Sequence, residues 1–163
     1  MPLCSISELP TLLQKGRCLL GLDSGSTVIG IAISDPGLRV ASPLTSIARK
    51  KFGEDAAALL KIVKERNVGG LVIGLPKNMD GTEGPSAQSA RAFVSNLMEK
   101  GGLPDMPVVF WDERLSSAAV ERMLVEDDMS RKRRDAVVDK AAAAYILQGA
   151  LDALSMGAQS THR

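Results

Sequence analysis

Two cysteines, Cys4 and Cys18, are too few to staple a fold, and they lack the paired spacing of a zinc site. So few thiols fit a reducing compartment, and the expected location is the cytoplasm. The single histidine, His162, stands in a polar tail, so acid–base or metal chemistry has to rest on carboxylates, lysine, arginine or water. Aromatic residues make up only 3% of the chain, too little for a base-stacking platform, and Trp111 and Tyr145 read as core residues. No stretch approaches the roughly 20 apolar residues that cross a bilayer, and the opening MPLCSISELPTLLQKGR has neither a basic leader nor a continuous apolar run. No membrane partner is expected. The net charge of +1 excludes a grip on nucleic acid through overall charge, so any such binding needs a local basic patch.

What is present suffices for one domain. A chain of 163 residues, 45% of them hydrophobic, buries roughly two thirds of its unfolded surface without a disulfide or structural metal. Residues 1–16 read as an irregular leader, 17–154 as the folded domain and 155–163 as a polar C-terminal tail. The run Arg17 to Asp23 predicts a buried strand, and the alternation from Ile29 to Ser34 a second, paired to the first as a hairpin. Asp35-Pro36-Gly37 signals a turn, and Val40 to Ile47 a third strand that Pro43 confines to an edge or bulge. A helix from Glu54 to Arg66, stopped by Gly69-Gly70, leads into the strand Leu71 to Ile73. A helix from Ser86 to Lys100 precedes a short strand from Pro107 to Trp111, ending at Asp112. A helix capped by Ser116 or Ser117 and a long alanine-rich helix from about Asp135 to Leu154 complete the pattern. The order βββαβαβαα predicts an α/β fold, a mixed five-stranded sheet flanked by helices.

The positions of particular acids carry the chemistry. Asp23 ends an apolar strand beside a glycine turn, where a side chain meets both solvent and ligand on a rigid backbone. Its alternative role is local, bonding the amides of Ser24 or Gly25. Asp112 and Glu113 end another strand, and since neighbours on a strand point to opposite sides, only one readily faces a site beside Asp23. Either could instead pair with Arg114 or sit near the next helix N-terminus. On a helical projection Asp139 falls within about 60° of Ala142, Ala143, Ile146 and Ala150, on the stripe that faces the protein. No lysine or arginine stands three or four positions from it, and Asp135, four back, repels it. A bound cation or an arginine from elsewhere would resolve that conflict. Three acidic loci converging at one sheet edge suit Mg²⁺ or Mn²⁺, hard ions that prefer oxygen ligands and, about 4 Å apart in pairs, drive phosphodiester cleavage.

The segments LDSGSTVIGIAISD (22–35), VIGLPKNMDGTEGP (72–85), VVFWDERLSS (108–117) and VVDKAAAAYILQGALD (137–152) closely resemble, in this order, the YqgF/RuvX family of ribonuclease H-like nucleases. The resemblance implies a ribonuclease H-like fold and a metal-dependent endonuclease, either one that matures the 5′ end of precursor 16S ribosomal RNA or a Holliday junction resolvase acting on branched DNA. It implies catalytic roles for Asp23, Asp112, Glu113 and Asp139; Asp23 and Asp139 are expected as metal ligands together with one of Asp112 and Glu113, a choice that spacing leaves open and that falls here on Glu113. Ribosomal particles become expected partners, and the protein is expected as a monomer or homodimer. One departure stands out: the family's basic residue or pair before Ile-Gly is replaced by Thr27 and Val28, removing positive charge near the expected scissile phosphate. That change favours a third alternative, a non-catalytic nucleic-acid-binding module.

Nucleic-acid contacts are expected from three further places. Lys77 and Asn78 stand in a loop between strand and helix, where side chains and amides reach a phosphate, although Asn78 and Gly81 are also ordinary turn formers. Arg114 could hold a phosphate bidentately or pair with a neighbouring carboxylate. The run Arg131, Lys132, Arg133 and Arg134 adds four charges just before the last helix, to phosphates or to a solvated face. Asp23-Ser-Gly-Ser-Thr27 also resembles the first phosphate loop of the actin and hexokinase superfamily, but that architecture closes two related lobes and this chain has no internal repeat.

Overall fold

The computed structural model describes residues 3–25, 27–78, 80–103, 105–112 and 141–155. The leader, expected to be irregular, contains one helical turn, α1 (Leu9–Leu12). Pro10 is tolerated in that first turn because its missing N–H has no helical partner to lose, and Leu9 is fully buried. The same segment is stitched to the domain by the Cys4 N–H, which donates to the Val108 carbonyl at 2.9 Å.

Strands β1 (Cys18–Ser24), β2 (Val28–Ser34) and β3 (Ala41–Ala48) form the antiparallel meander. The turn between β2 and β3 is built by Asp35, whose carboxylate accepts the N–H groups of Arg39 and Val40 at 2.7 and 2.9 Å. Those bonds favour the ionised form and hold the carboxyl below the usual aspartate range, Val40 contributing most. Pro43 sits opposite Ala32 at a register shift on the edge strand, the place where a missing N–H costs least. The chain then runs through α2 (Phe52–Glu65), β4 (Val68–Leu75), α3 (Pro85–Lys100) and β5 (Val108–Asp112), and residues 141–155 are helical.

The sheet order is β3-β2-β1-β4-β5, with β4 parallel to both β1 and β5. All eight residues of β4 are buried, as expected for a parallel strand covered on both faces. One boundary departs from expectation. Gly69 and Gly70 lie inside β4, while α2 gives way at Asn67, which adopts the left-handed conformation at φ 56°. The glycines serve packing: a Cβ on Gly69 would lie 2.7 Å from the Arg17 Cβ, and one on Gly70 2.8 Å from Leu19 Cδ2.

Each sheet face has its own core. Leu20, Leu22, Ile29, Ile31, Leu71 and Ile73 meet α2 and α3 through Leu59, Val63, Phe93 and Leu97. On the other face Leu19, Ala32, Val72 and Val109 meet Ala143, Ile146, Leu147 and Ala150 of the 141–155 helix. The small side chains there permit a close approach, and a Cβ on Gly21 would fall 2.7 Å from that of Leu147. The stripe Ala142, Ala143, Ile146 and Ala150 is fully buried, as its helical projection requires. Trp111 packs on this face, but Tyr145, expected in the core, is 41% exposed. It stands between the buried Ala144 and Ile146, on the side of the helix turned away from the sheet.

Candidate active site

Because β1, β4 and β5 are parallel, their C-terminal ends open on one sheet edge, the usual ligand edge of an open α/β sheet. Three loci leave from it: Asp23-Ser24-Gly25 after β1, the loop from Pro76 to Gly84 after β4, and Asp112 at the end of β5.

Asp23 is held rigidly through its backbone. The strand pairs it with Gly30 of β2, and the Gly25 N–H closes the turn on the carbonyls of Asp23 and Val28 at 3.1 and 3.0 Å. The turn amide therefore bonds to main chain, and among the described residues the Asp23 carboxylate accepts no hydrogen bond and joins no ion pair. It is half-buried on the wall of a cleft of about 380 Å³ shared with Ser24, Pro76, Pro85, Ser86 and Ser89. A rigidly placed, solvent-accessible carboxylate with no described partner is chemically available to a cation.

The β4 exit is built differently. The Asn78 side-chain amide donates to Thr82 Oγ1 at 3.0 Å, its backbone N–H donates to the Thr82 carbonyl at 2.8 Å, and Asp80 Oδ1 accepts both the N–H and the hydroxyl of Thr82. Lys77 forms a β-bridge with Glu83, whose carboxylate takes two bonds from Arg91 at 2.6 and 2.9 Å. That bidentate pair holds the Glu83 carboxyl below the usual glutamate range, with Arg91 and Lys77 adding attraction through space, and raises Arg91 in turn. The Arg91 guanidinium also lies 4.8 Å from the centre of the Phe110 ring.

Asp112 pairs with Leu75 and is two strands from β1, roughly 10 Å away across the sheet. Alternation sends Val109 and Trp111 to the face of the 141–155 helix and Val108 and Phe110 to that of α2 and α3, so Asp112 falls on the latter. Asp23 is in phase with Leu19 and Gly21, on the opposite face. The structure brings Asp23, the Lys77 loop and Asp112 to one sheet edge, with Asp112 two strands from Asp23. Glu113, Arg114, Arg131, Lys132, Arg133, Arg134 and Asp139 lie outside the described residues. Among the described residues no three His, Cys, Asp or Glu side chains form a metal-binding group.

One basic residue at this edge went unread in the sequence. Arg49, just past β3, donates its N–H to the Thr27 carbonyl at 2.8 Å, and its Nη2 donates to Ser24 Oγ at 2.7 Å, next to Asp23. A positive charge from the adjoining strand thus stands beside Thr27 and Ser24. The available signal was the triplet Arg49-Lys50-Lys51 directly after a strand.

The sheet order, with helices on both faces, defines a ribonuclease H-like α/β domain. The same architecture occurs in the yeast mitochondrial Holliday junction resolvase, similar at a TM-score of 0.54 and 9% identity over 94% of this chain and 86% of that one. The RuvX profile, described as Holliday junction resolvase, matches residues 17–153, and the chain belongs to this family. A Rhodospirillum centenum protein named "Putative pre-16S rRNA nuclease" is 54% identical over 159 residues, covering 96% of this chain and 85% of its own length. A Paracoccus denitrificans protein of the same name is 60% identical over 143 residues, 87% of this chain and 88% of its own. Among the described residues no helix is long and apolar enough to cross a membrane.

Proposed function

We propose that this RuvX-family chain is a cytoplasmic, metal-dependent endonuclease that cuts phosphodiester bonds in structured nucleic acid, with precursor 16S ribosomal RNA as its substrate. The observation that carries this reading is the Asp23 carboxylate, fixed at the ligand edge of the sheet and facing a cleft with no described partner. An acid that served only its turn would accept the Gly25 amide, which bonds to the carbonyls of Asp23 and Val28 instead.

Asp23 would hold Mg²⁺ or Mn²⁺ together with Glu113 and Asp139. Glu113 is taken as the ligand in preference to Asp112, as in the reading of the sequence. A divalent ion bound there supplies Lewis-acid stabilisation of the charge that develops on the phosphate. The chain's own residues do the rest. Asp23 orients the reacting centre from a strand end that cannot shift without breaking its pairing to β2 and β4. Lys77 and Arg114 steady the phosphate, and the run Arg131 to Arg134 extends the contact to neighbouring phosphates in a salt-dependent way.

The test is cleavage of a labelled precursor 16S RNA fragment and a synthetic four-way DNA junction, with Mg²⁺, Mn²⁺ or chelator, by wild type and Asp23→Ala. Metal-dependent RNA cutting that disappears in the variant is the expected result. Symmetric junction cutting with intact RNA would replace the substrate by branched DNA, and undiminished cutting by Asp23→Ala would overturn the assignment of the centre.

A further inference from the structure

We propose that Arg49 and Lys50 form a second phosphate-binding subsite that grips the nucleic-acid strand beside the bond to be cut. The inference rests on the reading of Asp23 as part of the cutting centre and adds the direction in which the strand leaves it.

Among the described residues Arg49 forms no ion pair with an acid. Its Nη2 donates to a neutral hydroxyl, Ser24 Oγ, and its guanidinium carbon lies 5.1 Å from the centre of the Phe93 ring. Its Nε is buried and has no partner among the described residues, where Arg49 also forms no ion pair. A guanidinium stays charged at every physiological pH, and a structural one is normally neutralised by a carboxylate. This one is oriented by a hydroxyl and a ring, leaving its charge for a ligand. Its backbone is fixed as well. The Arg49 N–H is tied to Thr27, and the Lys50 N–H donates to Oδ1 of Asp55, a carboxylate only 4% exposed. Asp55 is therefore engaged with the main chain of the basic run, although it lines the same cleft. Glu54, in the same helical turn, is exposed and absent from the cleft wall.

The cleft beside Arg49, about 260 Å³, is lined by Lys50, Ser89, Phe93 and Asn96 among others. Ser89 also lines the Asp23 cleft, and Ser24, which lines that cleft, is the residue Arg49 holds. The two depressions therefore adjoin across the first half of α3. A ligand that spans both must carry charge at one end for a cation held by Asp23 and again at the other for Arg49 and Lys50. A phosphodiester strand repeats its negative charge in this way; an isolated phosphate or a single acidic side chain does not. With a net charge of +1, the chain has to concentrate its grip in such local patches.

The test is fluorescence anisotropy of a labelled single-stranded RNA of precursor sequence, in chelator so that nothing is cut, over a series of KCl concentrations. Arg49→Gln and Lys50→Gln should each weaken binding by about three- to tenfold at low salt and reduce the salt slope by about 0.7 for each phosphate that is no longer neutralised. Lys50 is exposed with no described side-chain partner, so its variant separates weakened grip from impaired folding. Arg49→Lys, which keeps the charge, should recover part of the affinity. In Mg²⁺, Lys50→Gln should raise KM while leaving kcat nearly unchanged. An unaltered slope in both glutamine variants would overturn the subsite even if Asp23→Ala abolishes cutting. Conversely, cutting retained by Asp23→Ala with a reduced slope in the glutamine variants would sink the cutting centre and leave the strand contact standing. Inorganic phosphate competing as strongly as the oligonucleotide would also overturn it, by showing a single-anion site.

Discussion

The exits of β1 and β4 leave the same sheet edge one strand apart and treat their polar atoms in opposite ways. In the loop after β4, Asn78, Asp80 and Thr82 bond to one another, and Glu83 is held by Arg91 of α3. After β1 the Gly25 N–H bonds to main-chain carbonyls, and among the described residues the Asp23 carboxylate takes no part. Both segments carry residues that look functional in a sequence. A side chain whose bonds are satisfied locally is scaffold, because a ligand would have to replace bonds already made. One held by its backbone and left without a described partner is available to chemistry. Of the β4 exit, Pro76 lines the cleft that Asp23 faces, while the side-chain amide of Asn78 is tied to Thr82.

The contrast can be broken at several points. The largest effect is expected at Asp23: Asp23→Asn keeps the shape of the side chain and should cut cleavage by more than about 100-fold, since even the outer partners of metal ligands are worth 10- to 100-fold. Single-turnover kinetics of a labelled RNA would measure it, with an unchanged unfolding midpoint. Next comes the support beneath β1. Gly21→Ala forces a methyl to within 2.7 Å of Leu147 Cβ and 2.9 Å of the Ala143 carbonyl, so the 141–155 helix has to shift away from β1. Urea denaturation should show a loss of about 1–3 kcal/mol, with cleavage falling as the Asp23 exit moves. Asn78→Ala tests the opposite side. It removes the bond to Thr82 and should cost about 0.5–1.5 kcal/mol while leaving most of the cleavage rate, whereas a loss comparable to that of Asp23→Asn would return Asn78 to the catalytic set.

The smallest effect is a pH signature confined to the β4 exit. The Glu83 carboxyl is lowered in the folded state, first by the hydrogen bond from Arg91. A depressed acid contributes stability that is complete above the ordinary glutamate range and is lost as pH falls through its lowered folded value. Nuclear magnetic resonance of the Arg91 side chain should therefore show the pair releasing only below that range, and Glu83→Gln should remove the step. A release near neutral pH would show that the loop is not fastened in this way.

Much of this was legible in the residue order because it is local. The alternation from Ile29 to Ser34, the Asp35-Pro36-Gly37 turn and the stripe around Ile146 each report a short-range periodicity, and each lies in the structure where that periodicity puts it. Asp23 was legible for the same reason: an acid at the end of an apolar run before glycine is a local anomaly. Tyr145 misled because composition says nothing about which side of a helix one residue takes. Gly69 and Gly70 misled because a glycine pair ends a helix as readily as it admits a neighbouring side chain into a strand.

The sequence by itself therefore determined the elements, the α/β class and the place of Asp23 at a strand end, since these follow from backbone geometry and side-chain periodicity over a few residues. Only the tertiary structure decided that β4 separates β1 from β5, that Asp112 falls on the far face from Asp23, and that Arg49 reaches Ser24 across 25 positions of chain. Strand order and facing depend on which buried surfaces fit together over long separations, and no window of neighbouring residues contains that information.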